Sequence, residues 1–220
     1  MTTWLEHVEK WRDCMRCPLS EQRSNIVLAR GTVPCDVLFV GEAPGASEDA
    51  LGQPFVGPAG HLLDQVIERA LPHPTKDVWE QLRFDTNTPW CYALDAAKER
   101  GLVSSDTVWV THALTNLVSC FPAEAKARGD NEPQWSEIKE CRPRLHEFIA
   151  MCAPRLVVCV GVLALDYIGH GADGKVMGAE VVAIDHPAFI LRMPVVKREM
   201  AAERAVRVLR RAVDAMMGIE

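Results

Sequence analysis

The chain has 220 residues, of which 48% are hydrophobic and 25% charged. That is ordinary globular composition, and it excludes collagen-like, low-complexity and wholly disordered chains. Lys and Arg number 24 against 30 Asp and Glu, a net charge of −6, so any nucleic-acid site must be a local positive or dipolar patch on an acidic body.

Trp4, Leu5, Val8 and Trp11 mark a short N-terminal helix. Residues 36–40 form a short apolar run, read as a buried strand, that ends in the Gly- and Pro-rich stretch from Gly41. A helix starts at Pro58, with Pro in its first turn and Leu62, Leu63, Val66, Ile67 and Leu71 at helical spacing. Residues 71–105 mix Pro, Trp and Tyr with short helical patterns and read as an insertion (about 72–105) over the core. Residues 108–110 predict the second strand, leading into a loop at 111–116. Residues 121–134 are polar and charged, an exposed loop before an amphipathic helix at 135–152. A strand at 156–160 runs through Gly161 into a short helix ending near Tyr167. Residues 181–184 are the last strand, followed by a loop at 186–192 and a long Arg-rich helix at 197–217.

Strand and helix alternate through this series, which implies an α/β fold with a parallel, centrally buried sheet. In such sheets the ligand crevice lies outside the carboxyl ends of the strands. The stretches at 41–57, 111–120 and 186–192 are all expected there. Neither a P-loop nor a Gly-x-Gly-x-x-Gly follows the first strand, so nucleotide cofactors have no support. No apolar run reaches the roughly 18–20 residues of a membrane span. The N-terminal residues lack the basic start and apolar centre of a secretory leader. A cytoplasmic protein without membrane partners, one domain over 1–220, is expected.

Eight Cys in a reducing compartment argue for metal or cluster ligation over disulfides. Cys35, Cys152 and Cys159 sit in apolar surroundings and read as small buried hydrophobes, while Cys91, beside Trp90, suits core or cluster. Cys14 and Cys17 are spaced C-x-x-C and followed by Pro, and Cys120 and Cys141 each precede a Pro by two residues. Iron–sulfur and zinc both fit four thiolates. A redox dithiol would want a strand before it, and a helix stands there instead.

Phe55 stands in the Gly/Pro stretch, where an aromatic can stack on a planar ring or cap the core. Glu42 ends the first strand at the crevice mouth. His186 follows the last strand and can donate to a developing anion. Phe189, Ile190 and Leu191 form an apolar wedge candidate, with Arg192, Lys197 and Arg198 available for phosphates.

The motifs Cys14-x-x-Cys17, the run 41–63, Thr115-Asn116-Leu117-Val118-Ser119-Cys120, Cys141-Arg142-Pro143 and His186-Pro187-Ala188-Phe189-Ile190-Leu191-Arg192 occur in one order. Together they resemble the iron–sulfur-containing, family 4 type of uracil-DNA glycosylase. That resemblance implies a three-layer α/β/α sandwich with a four-stranded parallel sheet and a [4Fe–4S] cluster. It implies a monofunctional hydrolase that releases uracil from single- or double-stranded DNA by base flipping and leaves an abasic site for repair. Cys14, Cys17, Cys120 and Cys141 match its cluster ligands, with the cluster loop at about 120–141. Gly41, Glu42 and Ala43 match its first motif and Phe55 the aromatic beneath uracil. Asn116 matches the amide on the uracil edge, His186 the imidazole facing uracil O2, and Leu191 and Arg192 the minor-groove loop. Glu42, Asn116 and His186 would then be catalytic. A monomer is expected.

The chain departs from the family pattern at Ser119-Cys120-Phe121-Pro122-Ala123, where Lys-Cys-Arg-Pro-Pro is usual. The interval between Cys120 and Cys141 and the insertion before the second strand are also longer. These changes leave open a modified pyrimidine as substrate, or a non-catalytic uracil- or DNA-binding module. No basic run with a reactive His precedes His186, which argues against covalent trapping of DNA.

Overall fold

The computed structural model describes residues 2–72, 96–105, 107–123, 132–169 and 174–219. In chain order the helices are α1 (Trp4–Trp11), α2 (Ala46–Leu51), α3 (Pro58–Ala70), α4 (Trp135–Cys152), α5 (Val162–Ile168), α6 (Pro187–Arg192) and α7 (Val195–Met217). The strands are β1 (Ala29–Gly31), β2 (Val37–Gly41), β3 (His112–Asn116), β4 (Leu156–Val160), β5 (Lys175–Val176) and β6 (Ala179–Ile184). Most of the insertion and of the loop before α4 lies outside the described residues, as does Cys91.

The sheet order is β1-β3-β2-β4-β6-β5. Strands β3, β2, β4 and β6 are parallel, as expected. The sheet nonetheless has six strands where four were expected, because β1 and β5 add an antiparallel strand at each edge. With three and two residues, they are too short to show a period of two in the sequence.

The inner strands β2 and β4 are buried at every position, the reading of a sheet covered on both faces. Successive residues serve opposite cores. Val37, Phe39, Val158 and Val160 meet Leu63, Val66 and Ile67 of α3 and Leu209 and Val213 of α7. Leu38, Val40, Val157 and Cys159 meet Ile138, Leu145, Phe148 and Cys152 of α4. Helix α1 docks on α4 through Glu147, whose carboxylate accepts from Trp11 Nε1 at 2.9 Å and lies 2.7 Å from His7 Nδ1.

The second strand begins four residues later than expected. Trp109 and Val110 are buried, but the Val110 amide donates to Pro72 outside the sheet. Pairing starts only where Asp36 accepts from the amide and hydroxyl of Thr111. This clamp sets Val37 opposite His112 and Gly41 opposite Asn116. Asn116 therefore ends a strand and is not in a loop. The segment after β6 was also expected to be a loop, but it folds into α6, capped by His186.

Candidate active site

The four parallel strands end along one edge, and the residues after them are tied together. Leu117 N–H donates to the Gly41 carbonyl at 2.9 Å, and Gly161 N–H donates to the Ile184 carbonyl at 3.0 Å. Gly41, Glu42, Asn116, Gly161 and His186 are thereby gathered at the crevice end of the sheet.

Asn116 and Phe55 meet over Gly41. A methyl group on Gly41 would lie 2.4 Å from Asn116 Oδ1 and 2.5 Å from Phe55 Cζ. Only a hydrogen fits between the amide and the ring. Phe55 is held there with φ at 57°, a region costly for an aromatic residue. Its restraints are local. Arg30 donates to the carbonyls of Pro54 and Phe55 at 2.9 and 3.2 Å. Glu48 accepts from the amides of Gly45, Val56 and Gly57 at 2.7–3.0 Å. Gly60 lets α3 lie against the Phe55 backbone, where any Cβ would overlap the carbonyl.

Glu42 and His186 meet on the other side, across Gly161. A Cβ there would lie 2.4 Å from Glu42 Oε1 and 3.2 Å from His186 Cβ and Cδ2, and φ is +101°. Burial pushes the Glu42 carboxyl up to about 7, with Glu132 adding to the rise and Arg192 opposing it. Burial pushes His186 down to about 4, and the Arg192 charge adds to that fall. The His186 Nδ1 accepts from Ala188 N–H at 3.1 Å. This leaves a neutral ring with its proton on Nε2, free to donate.

Ala43 follows Glu42 but packs against the α4-side core. Leu191 is half-buried and Arg192 exposed on α6. Beside them Phe189, Val195 and Val196 are exposed, so apolar and basic groups share the rim.

The expected metal-ligating residues also come together. Cys14 and Cys17 after α1, Cys120 after β3 and Cys141 on α4 line one cavity, with Arg16, Arg23 and Arg144 in its walls. Arg23 Nη1 donates to Cys120 Sγ at 3.1 Å. Burial pushes the Cys120 thiol up to about 11 against that cation's pull, and burial raises Cys17 as well. Among the described residues no three His, Cys, Asp or Glu converge as they would on one ion. Cys35, Cys152 and Cys159 are buried elsewhere, as core.

Gly161, Glu48 and Arg144 were missed in the sequence. A Gly directly after a buried strand was the visible signal for the first. Nothing local marks the other two, whose partners are distant in sequence or on main-chain atoms.

The arrangement sets a buried aromatic ring and a buried amide beside a half-buried neutral imidazole and a half-buried carboxyl, with basic and apolar side chains of α6 and α7 close by. Such a site can bind a planar polar ring and stabilise negative charge leaving it. The profile of the uracil DNA glycosylase superfamily matches residues 30–210, and the chain belongs to that superfamily. A Type-4 uracil-DNA glycosylase of Pyrobaculum aerophilum is 27% identical over 89% of this chain and 88% of its own. One from Archaeoglobus fulgidus is 26% identical over 89% and 87%. A solution structure of a Methanosarcina acetivorans protein assigned to uracil DNA glycosylase matches 86% of this chain and 98% of its own at 14% identity. Its TM-score of 0.42 is too low to bear on the site.

Proposed function

We propose that this protein hydrolyses the N-glycosidic bond of uracil in DNA, leaving an abasic site for base-excision repair. The observation that carries this is the convergence of Asn116 and Phe55 over Gly41, beside Glu42 and His186 across Gly161. The flipped base lies on Phe55. The Asn116 amide offers a donor and an acceptor in one plane, which suits uracil O4 and N3–H. A bulkier residue than Gly41 would close this face of the pocket.

Bond breaking leaves positive charge on the sugar and negative charge on the base. His186 Nε2–H donates to uracil O2 and stabilises the departing anion. A neutral imidazole does so without first binding uracil as an ion pair, so the hydrogen bond strengthens as the charge develops. Glu42, as carboxylate, supports the sugar cation and orients the water whose oxygen bonds to C1′. That water's hydrogens supply the sugar hydroxyl and one proton, and the uracil anion takes up a proton on release. No Lys stands in these motifs to form a Schiff base with the sugar, so the strand is not cut. Leu191 occupies the gap in the base stack, and Arg192 holds the backbone phosphate. The substrate is single- or double-stranded DNA, acted on by a monomer in the cytoplasm.

Cys14, Cys17, Cys120 and Cys141 would hold a [4Fe–4S] cluster. Thiols set round the walls of one cavity suit the corners of a polynuclear centre, with guanidinium groups beside them to favour thiolates. Its contribution when bound is to pin the segment after α1 to the start of the loop before α4 and to α4 itself.

Single-turnover release from oligonucleotides carrying uracil, 5-hydroxymethyluracil or thymine tests the reading. Uracil release supports it. Release of only the modified base assigns the pocket to another pyrimidine, and no release from any of them assigns a binding module.

A further inference from the structure

Arg144 is the largest fully buried side chain among the described residues, 1% exposed in the middle of α4. A buried guanidinium costs several kcal/mol unless its hydrogens and its charge are answered. Its Nη1 donates to Thr115 Oγ1 at 2.7 Å. Its Nη2 donates to the carbonyl of Asn116, and to that of Leu117 at 3.0 Å. The same nitrogen lies 3.8 Å from Cys141 Sγ. Thr115 passes the contact on, its hydroxyl donating to the Leu28 carbonyl at 2.7 Å. One guanidinium thus grips three successive residues, 115–117, the middle one being Asn116. It also forms part of the wall of the cysteine-lined cavity.

Neutral main-chain groups would pair with water at a strand end in an ordinary crevice. Here the guanidinium holds the Asn116 and Leu117 carbonyls from behind, which opposes twisting of the strand end. The direction of the Asn116 amide follows from that main chain, and an amide that turns over exchanges donor for acceptor.

We propose that Arg144 is a positioning residue for base recognition, fixing the main chain that carries Asn116 from the wall of the cysteine cavity. The proposal rests on the reading of Asn116 as the group that pairs with uracil. It explains why a cation with no route to the substrate is buried between two functional sites. It also means that whatever fills the cysteine cavity presses, through Arg144, on the orientation of the base-reading amide.

The test uses full-length Arg144→Gln and Arg144→Lys proteins, with Asn116→Ala beside them. Three quantities are read: inhibition by free uracil, affinity for a duplex with an abasic-site analogue, and bound iron. Free uracil meets only the base pocket, whereas the abasic duplex meets only the rim. Arg144→Gln is expected to weaken uracil inhibition about tenfold, the scale of one lost hydrogen bond to a charged group, with abasic-site affinity unchanged at matched iron content. Arg144→Lys, which keeps the charge and some donors, should recover part of that loss. Unchanged uracil inhibition in Arg144→Gln overturns the proposal, as does an equal loss of uracil and abasic-site binding or a loss that merely follows lost iron. If Arg144→Gln does not fold, the Lys variant decides by the same comparison. Wild-type uracil inhibition in Asn116→Ala would instead show that the pocket reading is wrong. Weakening in Asn116→Ala with none in the Arg144 variants overturns only the role of Arg144.

Discussion

Replacing Gly41 by Ala adds one methyl group between the Asn116 amide and the Phe55 ring. The backbone there is not in the left-handed region, so the residue itself is unstrained. The cost lies in what the methyl meets. It would stand 2.4 Å from Asn116 Oδ1 and 2.5 Å from Phe55 Cζ, where ordinary contact begins at 3.4 Å. One or both groups must retreat by roughly 1 Å to reach normal separation. Phe55 has little freedom, since Arg30, Glu48 and the close packing of Gly60 all hold its loop. The amide is therefore the group that moves. A displacement of this size at a substrate-positioning group costs about 100-fold in rate. The overpacking itself costs about 1–3 kcal/mol of stability. Single-turnover uracil release and binding to an abasic-site duplex separate the two effects. Release should slow by about 100-fold in a folded protein, while the duplex, which carries no base in the pocket, binds as before. A folded Gly41→Ala protein that releases uracil at the wild-type rate would refute the reading that the base lies on Phe55 with its edge against Asn116.

Other expectations follow from the same geometry. Wild-type release should rise with pH through about 7 as Glu42 ionises, and Glu42→Gln should be slower and lack that limb; an identical pH profile in the variant would count against the carboxylate. Because folding raises the Glu42 pKa, its favourable contribution is present at acid pH and is lost as pH climbs through about 7. Glu42→Gln should then gain roughly 1–2 kcal/mol at pH 8, the screened worth of the shift, and much less at pH 5, as denaturant midpoints would show. His186→Ala should lose about 100–1,000-fold in uracil release, the scale for removing one donor to a developing anion. The wild type should show no His-dependent fall until pH nears about 4, so a limb near 6.5 that disappears in His186→Ala would mean the ring is not buried neutral. Cys120→Ser should lose bound iron and unfold at lower temperature, while Cys35→Ser should keep its iron; equal iron in both would remove Cys120 from the ligand set.

Much of this was legible along the chain because the informative residues are local in sequence. Val37 to Gly41 is apolar without a break because the strand is covered on both faces, and Pro58 marks the start of α3 because its missing N–H is harmless there. The position of β3 was not legible. Its neighbour at 108–110 is more apolar, and only the clamp between Asp36 and Thr111 decides which residues pair. The edge strands β1 and β5 owe their form to neighbours distant in the chain or to a single turn, and their own residues show no pattern.

The sequence by itself determined which chemical groups are available: an amide, an imidazole and a carboxyl, each beside the strand end that would carry it, together with an aromatic ring and the thiols. Local spacing and side-chain chemistry suffice for that. Only the tertiary structure decided how those groups act on one another. It placed Gly41 between Asn116 and Phe55, and Gly161 between Glu42 and His186. It turned the His186 proton to Nε2 through the Ala188 amide, and it buried Arg144 between the thiols and the strand that ends in Asn116. These are contacts across the fold or with main-chain atoms. The side chains in them come into register only when the parallel strands end together.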